Sequence, residues 1–354
     1  MALFGLGKRT ATFGLDIGSR SIKAVELVEA KGGGYALLSH AMVTLPREAI
    51  TDGSIRQPGL VSDGIKECLH KAGITAPTAV VSVSGRDSIV KRVPLPRVSP
   101  KELEDAILLE AEHHIPFAID EVFLDYQVVG ETANSMSVVL VATKKLKVLE
   151  YVAAVEAAGF DATVVDLDAF AVQNQYELNN PEDGKEATAL IDIGAAVMKT
   201  NVVHGGISVF ARDVPFGGNN YTDAIAHRLG VPVDKAEAAK HGQDVGINWD
   251  DLVPSLEAVS RDLSLEIQRT FDYFASTPES ERISKIVLSG GCAKLAGIDD
   301  FLASTWGVPV ELAHPFTALD CSAANLTDAD QQELGPLFAV AVGLGMRTHG
   351  DKSA

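Results

Sequence analysis

The sequence has few cysteines, no long apolar run and little positive charge, and each of these absences argues against a class of protein. Its 3 cysteines are widely spaced and form no CxxC pair, so neither a disulfide-stapled scaffold nor a cysteine-based zinc site is expected. No apolar run reaches about 18 residues, so no transmembrane helix is expected. Positive charge is scarce, and the formal net charge of −18 argues against nonspecific nucleic-acid binding and against direct attraction to an anionic membrane.

What the sequence does contain is ordinary globular composition and an internal repeat. Its 354 residues are 46% hydrophobic, which is enough for two or more cores. Residues 16–19 (DIGS) recur as residues 192–195 (DIGA), about half the chain length further on. Each copy follows an apolar run and precedes an alternating stretch, which is typical of a strand–turn–strand unit. The repeat predicts two similar lobes whose turns face one cleft.

The hydrophobic periodicity gives each half of the chain a similar order of elements. A β-β-β-α-β order in the first half is that of a ribonuclease-H-like lobe, and the second half begins with three comparable strands. The predicted fold class is therefore α/β, with duplicated ribonuclease-H-like lobes. The predicted strands are 12–18, 22–28, 35–44 and 78–83 in the first half, and 187–193, 198–204, 207–213 and 283–288 in the second.

The stretch at residues 84–160 interrupts the repeat and is predicted to be an inserted α/β subdomain. Within it, the sequence SPKE at 99–102 has the residues of a capping box and predicts a helix that begins at Pro100. A polar segment at 179–184 is predicted to link the two lobes. The first lobe is assigned residues 1–83 and 161–183, the second lobe residues 184–215 and 284–354, and a further subdomain residues 216–283.

The first turn has the residue types that a phosphate and its metal ion require. Asp16 could hold a hydrated Mg²⁺, an ion that keeps its waters and takes few protein ligands. Gly18 lets backbone N–H groups approach phosphate oxygens, while Ser19 and Ser21 offer hydroxyl groups. Lys23 could add a cation if its side chain faces the cleft. The alternative interpretation is a plain β-hairpin with an Asp-Gly turn.

The second turn keeps only part of this set. Asp192 and Gly194 are retained, and Asp192 is the second candidate for holding the metal through water. Residues 195–197 (AAV) offer no hydroxyl group. Lys199 follows Asp192 at the same spacing as Lys23 follows Asp16, although a lysine on a strand can equally well face outward.

Three further pairs of residues fit contacts with a nucleotide. The first is a glycine pair that opens a helix, where an anion or a ribose could bind, and the second is an acid–base pair on one helix face. The third is a glycine pair that follows a buried strand and lets a purine lie against backbone. A helix-entry turn, a surface salt bridge and an ordinary strand–helix turn are the respective alternatives. The pairs are Gly217 and Gly218, Glu237 and Lys240, and Gly290 and Gly291.

This ordered set resembles the phosphate and adenosine motifs of the actin-like ATPase superfamily, and residues 168–178 and 336–346 resemble its two connecting helices. Within the superfamily, nearly the whole chain resembles the PilM family of type IV pilus assembly proteins. The most specific matches are FGLDIG at 13–18, EAEHHIPF at 110–117 and PFGG at 215–218. The insertion resembles the extra subdomain that this family shares with the cell-division protein FtsA.

The resemblance implies an actin-like ATPase fold, binding of ATP and Mg²⁺, and capture of the N-terminal cytoplasmic tail of the membrane protein PilN. It further implies contact with pilus motor ATPases, self-association, and a cytoplasmic location at the inner membrane through partners. Because residues 195–197 lack the glycine and hydroxyl usual in the superfamily's hydrolases, slow or absent ATP hydrolysis is expected.

Two other functions on the same fold remain open at this point. A small-metabolite kinase would need a catalytic carboxylate, for which Asp166 and Asp168 are the candidates, unless they only cap the following helix. An FtsA-like division protein would need a C-terminal amphipathic membrane helix, and the short polar stretch at 347–354 argues against one.

Overall fold

The structure is a computed structural model that describes residues 11–30, 32–51, 53–181, 186–278, 280–348 and 350–351. The predicted linker at 179–184, and the lobe boundary within it, lie partly outside these residues. The strands are β1 (Thr12–Ile17), β2 (Ser21–Glu29), β3 (Tyr35–Thr44), β4 (Ile50–Thr51), β5 (Ser54–Ile55), β6 (Thr78–Val83), β7 (Ser88–Pro96), β8 (Val122–Glu131), β9 (Ser135–Lys144), β10 (Asp161–Leu167), β11 (Ala187–Ile193), β12 (Met198–His204), β13 (Ile207–Val214), β14 (Ile283–Ser289), β15 (Val310–Leu312) and β16 (Leu319–Asp320). The helices are α1 (Pro58–Ala72), α2 (Leu103–His114), α3 (Lys145–Ala157), α4 (Asp168–Asn179), α5 (Gly218–Leu229), α6 (Val233–Lys240), α7 (Trp249–Ala275), α8 (Ile298–Trp306) and α9 (Asp328–Gly345).

Two sheets with the same strand arrangement form the centre of the molecule. The first has the order β10-β6-β1-β2-β3-β16 and the second the order β13-β12-β11-β14-β15. In each sheet, the first three strands along the chain (β1-β2-β3 or β11-β12-β13) are antiparallel neighbours. The next two (β6 and β10, or β14 and β15) lie on the other side of the first strand and run parallel to it. The predicted duplication is thereby confirmed. Because the first strand of each sheet is central and buried, the turn that follows it is held rigidly.

Separate apolar cores support the two sheets, and a third core joins them. Helices α1 and α3 pack with the first sheet, and α7 and α8 with the second. Between the sheets lie α4 and α9, whose core combines Val80 of the first sheet with Leu190 and Val287 of the second. At the crossing of these helices Gly343 lies so close to Ala171 that a Cβ atom on it would be 1.7 Å from the Ala171 carbonyl oxygen. The lobes are thus joined at their base by close helix packing.

The inserted residues build a three-stranded antiparallel sheet, β7-β9-β8, covered by α2. Its small core includes Val93, Ile107 and Leu140 and is distinct from that of either lobe. Helix α3 follows this sheet but packs into the first-lobe core through Tyr151 and Val155. Helix α3 therefore attaches the inserted sheet to the first lobe, because it continues directly from β9 and packs in the first-lobe core.

Two helix starts differ from the prediction. The N–H and hydroxyl of Ser99 both donate to the Glu102 carboxylate, but this turn precedes α2, which begins at Leu103. Helix α9 begins earlier than predicted, with a capping box between Thr327 and Asp330, and contains Pro336 in its interior. Among the helices of the described residues, none has the length and hydropathy that a membrane crossing requires.

Candidate functional site

The two repeated turns each carry a buried aspartate–lysine pair. Antiparallel pairing sets Asp16 opposite Lys23 and Asp192 opposite Lys199, so the side chains of each pair lie on the same face of the sheet. The Lys23 Nζ–Asp16 Oδ2 distance is 2.8 Å, and the Lys199 Nζ–Asp192 Oδ2 distance is 2.7 Å. The sequence had left open which way these two strand lysines face. In the structure both lie beside the aspartates.

Asp168, the first residue of α4, links the second pair to the first lobe. Its Oδ2 lies 2.9 Å from Lys199 Nζ, so a first-lobe carboxylate bonds a second-lobe ammonium group. Its Oδ1 accepts a hydrogen bond of 2.5 Å from the Ser82 hydroxyl at the end of the central strand β6. The N-cap residue of α4 is Leu167, so Asp168 is the first helical residue and lies one position past the cap. The helix-cap interpretation of Asp168 is therefore wrong.

Burial and charge act against each other in this cluster. Burial raises the pKa of the Asp16 carboxyl; Lys23 offsets part of this rise, and the charge of Asp168 adds to it. Burial also opposes ionisation of Asp168, but Lys199 and the Ser82 hydroxyl outweigh it and hold the pKa of Asp168 below its ordinary value. Burial disfavours charged Lys199 as well, yet Asp168 and Asp192 raise its pKa well above the usual range.

A second polar link lies beside this cluster and joins the second lobe to the inserted subdomain. Asp213 on β13 is the cross-strand neighbour of Lys199, and its Oδ2 accepts a 2.5 Å hydrogen bond from the backbone N–H of Gly85 at the start of that subdomain. Burial raises the pKa of Asp213 to about 6. With Ser84 and Asp168 it lines a cavity of about 30 Å³, which is enough for one water molecule.

The glycine pair before α5 packs directly on the second turn. The Gly218 N–H donates to the Gly194 carbonyl oxygen at 2.9 Å. A Cβ atom on Gly217 would lie 2.4 Å from that same oxygen, so only glycine fits without a shift of backbone. The N-terminus of α5 is thus fixed beside the second turn, which takes up its first N–H groups, since the Asn219 N–H also donates to the Ala195 carbonyl oxygen at 2.8 Å.

The Glu237–Lys240 pair lies at the same place. Lys240 is buried, and its Nζ donates to the Gly218 carbonyl at 3.2 Å and lies 2.8 Å from Glu237 Oε2. Despite partial burial, hydrogen bonds from His241, Lys240 and Thr222 keep the pKa of Glu237 well below its ordinary value. The buried lysine makes this pair more than a surface salt bridge.

The third glycine turn completes the group. Gly290 has a φ of 83°, and a Cβ atom on it would be 2.4 Å from the Ile193 carbonyl oxygen. Its N–H donates to the Pro336 carbonyl of α9 at 2.7 Å, and the Ser289 hydroxyl donates to Asp192 Oδ1 at 2.9 Å. Gly291 begins the short 3-10 turn that follows. This turn is therefore tied both to the second turn and to a connecting helix.

All the predicted residues thus fall into two neighbouring groups, which meet where Lys199 bonds Asp168. One group is the first turn, in which the Gly18 N–H donates to the Ser21 carbonyl at 3.0 Å and Ser19 is half-buried. The other combines the second turn with the three pairs of glycine, glutamate and lysine residues. The repeat spacing pointed to Lys199, although sequence reasoning left open which way its side chain faces. Sequence reasoning considered Asp168 only as a catalytic carboxylate or a helix cap, and nothing short of the lobe arrangement indicated that it bonds Lys199.

The donor set suits a metal ion held by few protein atoms. Asp16 and Asp192 supply hard carboxylate oxygens at the two turns, and each is already bonded to a lysine. In the part of the chain that the structure describes, no group of three or more His, Cys, Asp or Glu side chains could hold a metal by itself. A metal here would need oxygens from water and from a bound anion.

The two candidate carboxylates of the kinase alternative are both paired with basic side chains. Asp166 bonds Arg347, which follows α9, and accepts from the Leu167 N–H at 2.8 Å. Asp168 is engaged with Lys199 and Ser82. A kinase that used either acid as a base would first have to break these bonds.

Known proteins of similar structure share this architecture. The chain superposes with a TM-score of 0.86 on a PilM-PilN type IV pilus biogenesis complex, with 27% identity over 96% of this chain and 98% of that one. MreB5 of Spiroplasma citri bound to ADP gives a TM-score of 0.53 at 12% identity, covering 95% of each chain. EutJ of Carboxydothermus hydrogenoformans gives 0.56 at 13% identity, covering 94% of this chain and 88% of that one. The fold is that of the actin-like ATPases.

Sequence comparison gives the family. The cell division protein FtsA of Escherichia coli K12 is 25% identical over 222 residues, which are 54% of this chain and 50% of that protein. The chain thus spans about half the length of the curated relatives it matches. The family model of the type IV pilus assembly protein PilM matches residues 14–349. Because this match covers almost every element described above, the chain belongs to the PilM family of type IV pilus assembly proteins.

Proposed function

We propose that this pilus assembly protein is a nucleotide-responsive adaptor, which holds Mg·ATP between its lobes and binds the N-terminal tail of PilN. The observation that carries the proposal is the bond between Lys199 of one lobe and Asp168 of the other, directly beside both turns. A ligand that inserts its phosphates there contacts both lobes at once and favours the closed arrangement.

The chain's own residues account for binding of the phosphates. Lys23 and Lys199 supply cations, and the hydroxyl groups of Ser19 and Ser21 supply hydrogen-bond donors. Asp16 and Asp192 would hold Mg²⁺ through water, and the ion would neutralise phosphate charge. Residues 195–197 place no hydroxyl group at the second turn. This supports slow or absent hydrolysis, so that the nucleotide acts as a ligand.

The surface best suited to a partner peptide lies where α3 meets the inserted sheet. Three large apolar side chains are exposed there: Phe123 by 47%, Leu146 by 82% and Leu149 by 53%. Lys145 connects them to the preceding turn, because its Nζ donates to the Asp120 carbonyl at 2.8 Å and lies 5.8 Å from the centre of the Phe123 ring. We call these three side chains the α3 patch.

A hollow of about 610 Å³ continues the patch and is lined by Phe117, Ile119 and Asp120. Exposed apolar side chains beside such a hollow suit an extended peptide, which would bury its own apolar residues there. The PilN tail is proposed as that peptide because the similar solved structure is a complex with PilN. Binding to PilN would bring the chain to the inner membrane, and contact with motor ATPases and self-association remain predictions.

If the α3 patch binds the PilN tail, a charge placed in it should weaken peptide binding, whereas a charge on another exposed leucine should not. Leu146→Asp places a charge where the peptide would bury apolar surface, and affinity for a synthetic PilN N-terminal peptide should fall at least about tenfold. Fluorescence anisotropy with labelled peptide measures this. Leu265→Asp is the matched control, because Leu265 is 56% exposed on α7, which packs with the second sheet. That control should bind as the wild type does.

The same titration tests the adaptor proposal. Peptide affinity should differ between protein saturated with Mg·ATP and protein without nucleotide, because the inserted sheet touches the second lobe where Lys91 donates to the Tyr273 hydroxyl. Equal affinity in both conditions would refute the nucleotide response. Equal loss in both leucine variants would refute the patch.

A further inference from the structure

A partly exposed ion pair joins the first lobe to α5, close to Glu237 of the predicted nucleotide site. Arg47 lies in the loop between β3 and β4 of the first lobe, and Asp223 lies on α5 in the second half of the chain. Two parallel hydrogen bonds of 2.5 Å join the guanidinium group to both carboxylate oxygens. The side chains are 35% and 53% exposed, so this contact is open to solvent.

Each partner of this pair is fixed to one of the two turns. The Arg47 loop is bonded to the first turn, because the Leu45 N–H donates to the Arg20 carbonyl at 2.8 Å and the Arg20 guanidinium donates back to the Leu45 carbonyl at 3.4 Å. Arg47 therefore moves with the first turn.

On the other side, Asp223 follows Thr222, whose hydroxyl oxygen lies 3.1 Å from the Gly218 carbonyl oxygen and within hydrogen-bond distance of the Glu237 carboxylate. Hydrogen bonding to Asp223 raises the pKa of Arg47, and the nearby Glu237 charge adds to this rise. Asp223 therefore moves with the helix that packs on the second turn.

We propose that Arg47 and Asp223 form an electrostatic clasp across the mouth of the cleft, and that its opening sets the rate at which bound nucleotide leaves. This inference rests on the proposed nucleotide site. The base of the cleft is joined by an apolar core that includes residues of both sheets, which makes it the natural hinge. The solvent-exposed clasp is the weaker connection, and it is the one that salt can screen.

The clasp predicts a charge-specific effect on release. A single exposed pair contributes at most about a fivefold change in rate, and bidentate geometry places this pair near that limit. Reversing one charge, in Arg47→Glu or in Asp223→Arg, should speed release of a fluorescent ADP analogue about fivefold in about 0.05 M salt. Exchanging both charges should return the rate to within about twofold of the wild type. Stopped-flow chase with excess ATP measures the rates.

A matched control separates the clasp from general electrostatics. Arg97 bonds Glu131 at 3.1 Å within the inserted sheet, with side-chain exposures of 53% and 47%. Arg97→Glu should release the analogue at the wild-type rate. Raising salt to about 0.5 M should speed wild-type release and leave the single reversals nearly unchanged.

The outcomes distinguish the clasp from the site itself. Uptake of the analogue with the same release rate in all variants would overturn the clasp alone. Failure of the wild-type protein to take up any analogue would overturn the proposed nucleotide site, and the clasp with it. Because Asp223 is exposed and Arg47 is only partly buried, reversal should leave the thermal unfolding midpoint nearly unchanged, and circular dichroism verifies this.

Discussion

Replacing Lys199 by methionine is expected to cost about 3–5 kcal/mol of unfolding free energy at neutral pH. The ammonium group lies 2.7 Å from Asp192 and 2.9 Å from Asp168, and all three side chains are at most 13% exposed. Methionine keeps much of the volume but leaves two buried carboxylates without their cation, which is the costly way to break a buried pair. Urea unfolding followed by circular dichroism measures the loss.

The pH dependence of this deficit shows its electrostatic origin. Without Lys199, the effect of burial on Asp168 is no longer outweighed, so the pKa of its carboxyl group rises above that in the unfolded chain and the folded variant binds more protons. Its stability should therefore recover as the pH falls from about 8 to about 5, relative to the wild type.

Lys71→Met is the control, since Lys71 bonds Glu67 at the same 2.7 Å distance but both side chains are more than half exposed. A loss of about 0.5 kcal/mol or less is expected there, and equal losses in both variants would contradict the account.

Alanine at position 343 is expected to destabilise the protein by about 3 kcal/mol, although only one methyl group is added. The new Cβ would be 1.7 Å from the Ala171 carbonyl oxygen, and that oxygen belongs to the backbone of α4 and cannot rotate away. Helices α4 and α9 must separate, which opens the core that joins the two lobes. The unfolding midpoint in urea measures the effect.

Gly59→Ala provides the comparison within a helix. Gly59 lies in α1, and a Cβ atom there would meet nothing within 4 Å. Because alanine is the better helix former, this variant should be unchanged or up to about 1 kcal/mol more stable. A Gly343→Ala protein as stable as Gly59→Ala would show that the helices are not packed as closely as the structure has them.

Local pattern in the sequence was enough to predict most elements of the fold. Strands such as 78–83 and 187–193 were predicted with their observed bounds, because buried central strands give continuous apolar runs ending at glycine or polar residues. The repeated DIG turn predicted the duplication, since identical local geometry recurs in both sheets. Helix starts were less predictable: the Ser99–Glu102 pair forms before α2 begins, and Pro336 is accommodated inside α9.

Contacts between distant parts of the chain could not be predicted in the same way. The sequence left open which way Lys23 and Lys199 face, because period-two alternation assigns faces but not which face meets the other lobe. The role of Asp168 depends on a partner in the other lobe. The pairing of Arg47 with Asp223 likewise requires both lobes to be in place. These residues have ordinary local surroundings, and only tertiary arrangement gives them a function.

The most direct test of the central claim is calorimetric titration of the protein with ATP in the presence of Mg²⁺. The account predicts saturable binding of one ATP per chain. Asp16→Asn should weaken that binding at least about tenfold, because it removes a carboxylate of the first turn at constant shape. Heats no larger than those of dilution for the wild type, or equal affinity for wild type and Asp16→Asn, would contradict the claim that the repeated turns hold a nucleotide.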